Sequence, residues 1–217
     1  MRSKAIIAIL VCMIGHQHYM QAQSLPIDTL SSKMPGKPLV IYISGDGGFN
    51  SFSNNFIKQW NTNGYPVVAL NAKSYFWKTK QPEAAAQDVT ALITQYLSLW
   101  KCNEVILLGY SFGADVMPFI QMRLPAEVAG KVKHTVLFSP SANTDFTVHL
   151  IYGNNGSSVP AEINKITKPV LVVFGDEETN LPDKQINNKQ VNIMKVPGDH
   201  HYDNNIATVV HEVAGKL

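Results

Sequence analysis

The segment Gly109-Tyr110-Ser111-Phe112-Gly113 follows a short apolar run, residues 105–108, and precedes a helical pattern that ends before Pro125. A serine with glycines two positions away on each side is typical of a nucleophile on a tight strand-to-helix turn, because larger side chains at the glycine positions would clash. The helix that follows presents N–H groups and a positive dipole end to a developing oxyanion. This context predicts Ser111 as a nucleophile and the N–H of Phe112 as an oxyanion donor.

Short apolar runs and helical patterns alternate along the rest of the chain. Runs rich in β-branched residues occupy 39–43, 67–70, 132–138, 170–174 and 191–196, and helical patterns occupy 51–62, 82–100 and about 205–216. Runs that do not alternate with polar residues predict strands buried on both faces of a parallel sheet. We therefore expect an α/β-hydrolase-like, doubly wound and mostly parallel sheet of about six strands. Residues 141–168 predict a short extra ribbon, too small for a large lid.

The amino-terminal residues differ from the rest in composition. Arg2 and Lys4 precede ten apolar residues, 5–14, and a polar stretch then leads to Ala22. This pattern predicts a secretory signal peptide over 1–23, because ten apolar residues are too few to span a bilayer. A linker over 24–36, a single domain over 37–217 and a periplasmic location follow as expectations.

The charge balance and the cysteine count argue against a nucleic-acid-binding protein and against a protein stabilised by disulfides. Two of the 18 basic residues lie in the predicted signal peptide, which leaves 16 basic against 16 acidic residues. This balance gives no indication of nucleic-acid binding. Cys102 is the one cysteine outside that peptide, so no disulfide framework is predicted.

Two further loops follow strands of the predicted sheet. Ser44-Gly45-Asp46-Gly47-Gly48 comes after the strand at 39–43, where hydrolases of this class place their second oxyanion donor, and we predict an N–H of Asp46 or Gly47. Gly175-Asp176-Glu177-Glu178 ends the strand at 170–174, where a triad acid is expected. An acid three residues after the glycine favours Glu178, with Asp176 as the second choice and Glu177 left open.

A histidine loop, Pro197-Gly198-Asp199-His200-His201-Tyr202, follows the last predicted strand and completes the order serine, acid, histidine. An imidazole here would accept the Ser111 proton. A histidine two residues before an aromatic residue favours His200, with His201 as the second choice. A metal pair is disfavoured because adjacent histidines point in different directions and no further ligand cluster appears. No metal or other cofactor is predicted.

Taken together, these segments resemble the bacterial virulence family of VirJ and AcvB. The resemblance also includes Tyr75-Phe76-Trp77 and the continuation of the serine motif through Phe119, and it spans about 37 to the end. The family's acidic loop usually continues with an Asp and a Cys, whereas here Thr179-Asn180-Leu181-Pro182 follows. This departure leaves the choice among the three acids open, with Glu178 still ahead.

The resemblance implies a periplasmic hydrolase. AcvB-type members resemble lysyl-phosphatidylglycerol hydrolases, and VirJ is tied to type IV secretion, which implies secretion-system proteins as partners. A general acyl-esterase and a non-catalytic binding protein on a hydrolase scaffold are the alternatives. A cationic aminoacyl group would suit Asp46 or Asp115, although a structural role for Asp115 is equally consistent. Tyr75 and Trp77 are candidates for lining the pocket or contacting lipid headgroups.

Overall fold

Seven strands form one sheet in the part of the chain that the computed structural model describes, residues 25–148 and 156–217. The strand order is β1-β3-β2-β4-β5-β8-β9. β1 is antiparallel to β3, and every other neighbouring pair is parallel. The strands are β1 (Ile27–Leu30), β2 (Leu39–Ile43), β3 (Val67–Leu70), β4 (Val105–Tyr110), β5 (Val132–Phe138), β8 (Val170–Gly175) and β9 (Val191–Val196).

Helices cover both faces of the sheet, as a doubly wound topology requires. One core cluster joins the sheet to α1 (Ser51–Thr62) and α7 (Ile206–Ala214). The other joins the opposite face to α2 (Ala72–Tyr75), α3 (Pro82–Trp100), α4 (Phe112–Gln121), α5 (Ala126–Lys131) and α6 (Val159–Ile163). The bounds of α1 and α3 agree with the predicted helices. Within the described residues, no helix combines the length and apolarity needed to cross a membrane.

The predicted linker, 24–36, contains a strand. β1 pairs antiparallel with β3, from Ile27 opposite Leu70 to Leu30 opposite Val67. Within residues 25–148 and 156–217 the sheet therefore has seven strands, one more than the six runs that predicted it, and the expected fold class is confirmed. The sequence of β1 did not predict this strand, because its polar centre, Asp28-Thr29, suits an edge and lacks the continuous apolar character of the central strands.

The insertion between β5 and β8 is small where the structure describes it. Residues Asn143–Thr144 (β6) and Ser157–Ser158 (β7) pair as a two-stranded antiparallel ribbon, and α6 follows directly. A short ribbon is present in this stretch, as predicted, but β6 precedes the apolar run at 146–151 that suggested it. Part of the predicted ribbon segment, His149 to Ile151, lies outside the described residues, as does the predicted signal peptide.

The topology fixes one edge of the sheet as the place for a site. The chain leaves β2 towards β3 on one side and then returns past it to β4 on the other, so the direction of winding switches between β2 and β4. Ligands of open α/β sheets bind outside the carboxyl ends of the strands at such a switch point. At the far side of the sheet, β9 is an edge strand whose residues are largely exposed until Val196.

Candidate active site

Ser111 lies on a strained turn between β4 and α4. Its φ of 51° and ψ of −120° belong to a region that costs a non-glycine residue roughly 1–3 kcal/mol. The flanking glycines make the turn possible: a Cβ on Gly113 would overlap the carbonyl oxygen of Ile43, and a Cβ on Gly109 would overlap the carbonyl oxygen of Gly113. The sheet and the helix are thus packed backbone to backbone around this serine.

Three predicted side chains are hydrogen-bonded in series at this edge. The Oγ of Ser111 lies 3.0 Å from Nε2 of His200, and Nδ1 of the same ring lies 2.8 Å from Oε2 of Glu178. The His200 side chain is 41% exposed and that of Glu178 only 10%. With Nδ1 protonated, this arrangement can move a proton from the serine to the ring while the carboxylate stabilises the resulting imidazolium.

The Glu178 carboxylate is held from both sides. Its Oε1 accepts hydrogen bonds from the Ser139 hydroxyl at 2.6 Å and from the Gly175 N–H at 2.7 Å. Burial raises the pKa of Glu178, but the hydrogen bonds from His200, Ser139 and Gly175 outweigh it, so the net pKa lies below its usual value. The carboxyl is therefore ionised and oriented towards the ring.

The other predicted acids do not reach His200. Oδ1 of Asp176 accepts a hydrogen bond from the Gly198 N–H at 3.0 Å, which ties the loop after β8 to the loop after β9. Glu177 is exposed, and its backbone N–H bonds to the carbonyl of Gly198. Of the three neighbouring acids that the sequence left open, Glu178 is therefore the one whose carboxylate contacts His200.

Three residues that sequence reasoning missed support this series. Ser139, at the end of β5, also lies 2.6 Å from the hydroxyl of the fully buried Tyr202. The Tyr110 hydroxyl donates to the backbone carbonyl of His200 at 3.1 Å. Tyr110 and Tyr202 both lie inside the quoted motifs, but which backbone or hydroxyl group each one meets depends on how separate loops pack together.

The glycine-rich loop after β2 borders the same pocket as Ser111. The pocket has a volume of about 110 Å³, and its lining includes Gly45, Asp46, Gly47, Asn50, Ser53, Tyr110, Ser111, His200 and His201. The Ser44 hydroxyl anchors this loop, because it accepts the Ala72 N–H at 3.0 Å and donates to the Gly45 carbonyl at 3.1 Å. Phe112 begins α4, so its N–H has no acceptor within the helix and points out of the helix start beside the serine.

Two of the predicted substrate-binding residues are buried, and their polar groups have partners within the protein. Asp115 is 7% exposed, and its carboxylate accepts hydrogen bonds from the Ser141 N–H at 2.6 Å and the Ser141 hydroxyl at 2.8 Å. Burial raises the pKa of Asp115 to about 7, although the Ser141 hydrogen bonds oppose the shift. Tyr75 is 5% exposed, and its hydroxyl donates to Asp88 of α3 at 2.5 Å.

Trp77, the third predicted substrate-binding residue, is not buried: its side chain is 54% exposed. It follows Phe76, whose ring lies 5.2 Å from that of Phe112, the residue next to the serine. Trp77 is therefore exposed next to a residue that packs against Phe112, and it is not among the residues that line the pocket at Ser111.

His201 is exposed and does not enter the hydrogen-bonded series. Its ring meets Phe52 edge to face at 5.3 Å and stands at 84° to the His200 ring. Across residues 25–148 and 156–217, no group of three or more His, Cys, Asp or Glu side chains is placed to hold a metal ion.

The sheet order and the serine on its strand-to-helix turn define an α/β-hydrolase fold. Three solved structures illustrate the likeness. Est1E from Butyrivibrio proteoclasticus has a TM-score of 0.59 at 18% identity, over 87% of this chain and 90% of that chain. The protein of unknown function ATU1826 from Agrobacterium tumefaciens has a TM-score of 0.63 at 18% identity, over 89% of each chain. Esterase Pf2001 from Pyrococcus furiosus has a TM-score of 0.62 at 14% identity, over 88% and 89%.

Within this fold, the chain belongs to the bacterial virulence protein (VirJ) family, whose profile matches residues 37–217. This agrees with the resemblance seen in the sequence. No curated protein sequence matches the chain. The identities to the solved structures are low, so they establish the fold and not the reaction.

Proposed function

We propose that this protein is a serine hydrolase that cleaves a carboxylic ester, with Ser111 as nucleophile, His200 as general base and acid, and Glu178 as the residue that orients the imidazole. The observation that carries this proposal is the unbroken series of hydrogen bonds from Ser111 through His200 to Glu178. A scaffold that only bound a partner would not need this series, nor the strained turn that presents the serine.

The reaction follows from these positions. Ser111 Oγ attacks the ester carbonyl carbon while His200 takes its proton, and the carbonyl oxygen becomes an oxyanion near the N–H of Phe112 and the loop at Asp46 and Gly47. The tetrahedral intermediate collapses as His200 protonates the leaving alcohol, which leaves an acyl-serine. Water, deprotonated by the same ring, then attacks the acyl group, and its proton returns to Ser111.

We further propose the aminoacyl ester of lysyl-phosphatidylglycerol as the substrate. Charge is divided across the carboxyl edge of the sheet, and the division supports this choice. On one side of Ser111, the loop after β9 carries Asp199 and Asp203, and the loop after β8 begins with Asp176 and Glu177, with Lys184 and Lys189 further along it. The loop after β3 carries lysines on the other side: Lys73, Lys78 and Lys80. A cationic lysyl group suits the first side, and the phosphodiester of the lipid suits the second.

A general small-chain acyl-esterase is the second candidate, and one observation favours it. The pocket at Ser111, about 110 Å³, is smaller than the several hundred Å³ that hold drug-sized ligands. A short acyl group fits such a pocket, with the rest of the molecule lying along the open edge. In either case a secreted, periplasmic enzyme is proposed, in keeping with the predicted signal peptide.

The test compares the purified protein with Ser111→Ala and with the control Ser98→Ala, which changes an exposed serine on α3. Each is incubated with lysyl-, alanyl- and unmodified phosphatidylglycerol, and free amino acid is measured. Release of lysine by the wild type and the control, but not by Ser111→Ala, is the expected result. Cleavage of p-nitrophenyl esters without lysine release would favour the general esterase. Inertness towards every ester and towards fluorophosphonate labelling would reject hydrolysis and favour a non-catalytic, secretion-associated role.

A further inference from the structure

Among the described residues, one exposed large apolar side chain, Trp77, lies in the loop that follows β3 at the carboxyl edge of the sheet. In residues 25–148 and 156–217, the exposed large hydrophobic residues are Met34, Trp77, Leu99, Met122 and Ile193. Leu99 and Met122 lie at the carboxyl ends of α3 and α4, and Met34 packs beside Gly64, just before β3, so these three are at the opposite, amino edge. Ile193 lies within edge strand β9. Of these five described residues, Trp77 is the one whose chain neighbour, Phe76, packs against Phe112 next to Ser111.

Lysines flank this tryptophan. Lys73 and Lys78 are exposed on either side of it in the chain. Lys80 is held inwards, with its ammonium 4.3 Å from the centre of the Tyr75 ring and 3.9 Å from Asp88. Residues 73–78, which we call the Trp77 loop, bury Tyr75 and Phe76 and present one indole and two ammonium groups to solvent.

The Trp77 loop is braced against its neighbours. The carbonyl of Phe76 accepts the Val148 N–H at 2.9 Å, and the Lys80 N–H donates to the Phe146 carbonyl at 3.3 Å. On the other side, a Cβ on Gly48 would come within 2.9 Å of Cβ of Lys73, so the loop touches the glycine-rich loop of the candidate site. These contacts fix the position of the loop relative to Ser111. A ligand bound by the loop is therefore held at a defined distance from the serine.

We infer that the Trp77 loop docks the protein on an anionic lipid bilayer, with the indole at the headgroup level and Lys73 and Lys78 against lipid phosphates. Tryptophan concentrates at membrane interfaces because one end of the ring system is apolar and the other carries a polar N–H. Lysines near an anionic surface add electrostatic attraction that falls off within a Debye length. The acids on the β8 and β9 side of Ser111 would be repelled by the same surface, which orients the protein with the Trp77 loop towards the lipid.

This inference deepens the proposed function, since it supplies the contact through which a lipid ester would reach Ser111. Its test is separate from catalysis. The purified protein is sedimented with vesicles of phosphatidylcholine alone or of equimolar phosphatidylcholine and phosphatidylglycerol. Binding to the anionic vesicles, weakened by high salt, is the expected result for the wild type and equally for Ser111→Ala.

The variants are the double Lys73→Glu, Lys78→Glu and the single Trp77→Ala. Loss of two lysine contacts should weaken binding to anionic vesicles by about 30-fold or more, and loss of the indole by about tenfold. The matched controls lie at the amino edge: the double Lys131→Glu, Lys216→Glu and the single Leu99→Ala. They should bind as the wild type does and should keep their activity on a soluble p-nitrophenyl ester. Circular dichroism checks that the loop variants keep their fold.

Failure of the wild type to bind anionic vesicles, or equal weakening by the amino-edge controls, would overturn the docking surface. Docking that persists in a protein unable to hydrolyse any lipid ester would uphold this inference and reject the proposed substrate. If the loop variants release lysine from vesicles as fast as the wild type does, the docking inference is rejected, while the proposed substrate still stands.

Discussion

Replacing Glu178 by glutamine tests the orientation of His200 with almost no change in shape. The carboxylate accepts hydrogen bonds on both oxygens, from His200 on one and from Ser139 and the backbone of Gly175 on the other. Glutamine has one acceptor oxygen and one NH2 group. Because the Gly175 N–H is a fixed donor, the glutamine oxygen must face it, and the NH2 group must face His200.

An NH2 group at that place favours the wrong tautomer of the ring. Nδ1 becomes the acceptor, the proton moves to Nε2, and Nε2 can no longer take the proton of Ser111. We expect a loss in kcat on the order of 10³–10⁴, equivalent to roughly 4–5.5 kcal/mol of transition-state stabilisation. The hydrogen bond to the fixed backbone donor is what makes this loss larger than removal of a charge alone would produce.

The assay is the steady-state hydrolysis of a p-nitrophenyl ester, with circular dichroism to show that the fold is kept. Asp176→Asn is the matched control, since its side chain bonds to Gly198 and an asparagine oxygen can keep that bond. It should retain activity within about threefold of the wild type. Full activity in Glu178→Gln together with a large loss in Asp176→Asn would refute the assignment of the acid.

Three further outcomes follow from the same geometry. Gly113→Ala places a methyl group against the backbone carbonyls at the end of β2, and should lower the free energy of unfolding by about 3 kcal/mol or more in urea titrations; a change below about 1 kcal/mol would contradict the close packing. The raised pKa of Asp115, about 7, means that the folded protein holds a proton which the unfolded chain releases near pH 4, so stability falls as pH rises through that window. In Asp115→Asn, the free energy of unfolding should fall less between about pH 4 and pH 7 than in the wild type. An unchanged dependence on pH would refute the raised pKa of Asp115. Ser139→Ala deprives Glu178 and Tyr202 of a shared partner and should cost about 1–3 kcal/mol of stability, measured by thermal melting against Ser98→Ala.

Much of the fold is predictable from the sequence because its signals are local. The central strands are continuous apolar runs, and α3 begins at Pro82, a favourable first-turn residue, and ends where Lys101 adopts a left-handed conformation. β1 is not predictable in this way. Three of its four residues are only partly buried and Asp28 is exposed, and they become a strand because β3 offers an unpaired edge.

The candidate site also has a part that the sequence predicts and a part that it does not. Its loops are predictable, because glycines and chemically distinctive side chains follow strands of one parallel sheet. The environment of each side chain is not, because it depends on contacts between loops distant in the chain. Asp115 and Tyr75 look like substrate contacts in the sequence, yet Ser141 and Asp88 occupy their polar groups. The choice among three adjacent acids likewise depends on hydrogen bonds from the Gly175 N–H and Ser139, which orient the carboxylate of Glu178.

The position of β9 at the edge of the sheet has a consequence for how the protein loses activity on heating. The pairing of Gly175 with Val196 sets the distance between the acid loop and the histidine loop, yet β9 has a neighbour on one side only and is largely exposed. Such elements open locally at lower free energy than the core. A fluctuation that detaches β9 would separate Glu178 from His200 while the central strands stay folded. Hydrolysis should therefore decline at temperatures several degrees below the melting of the sheet, and recover on cooling.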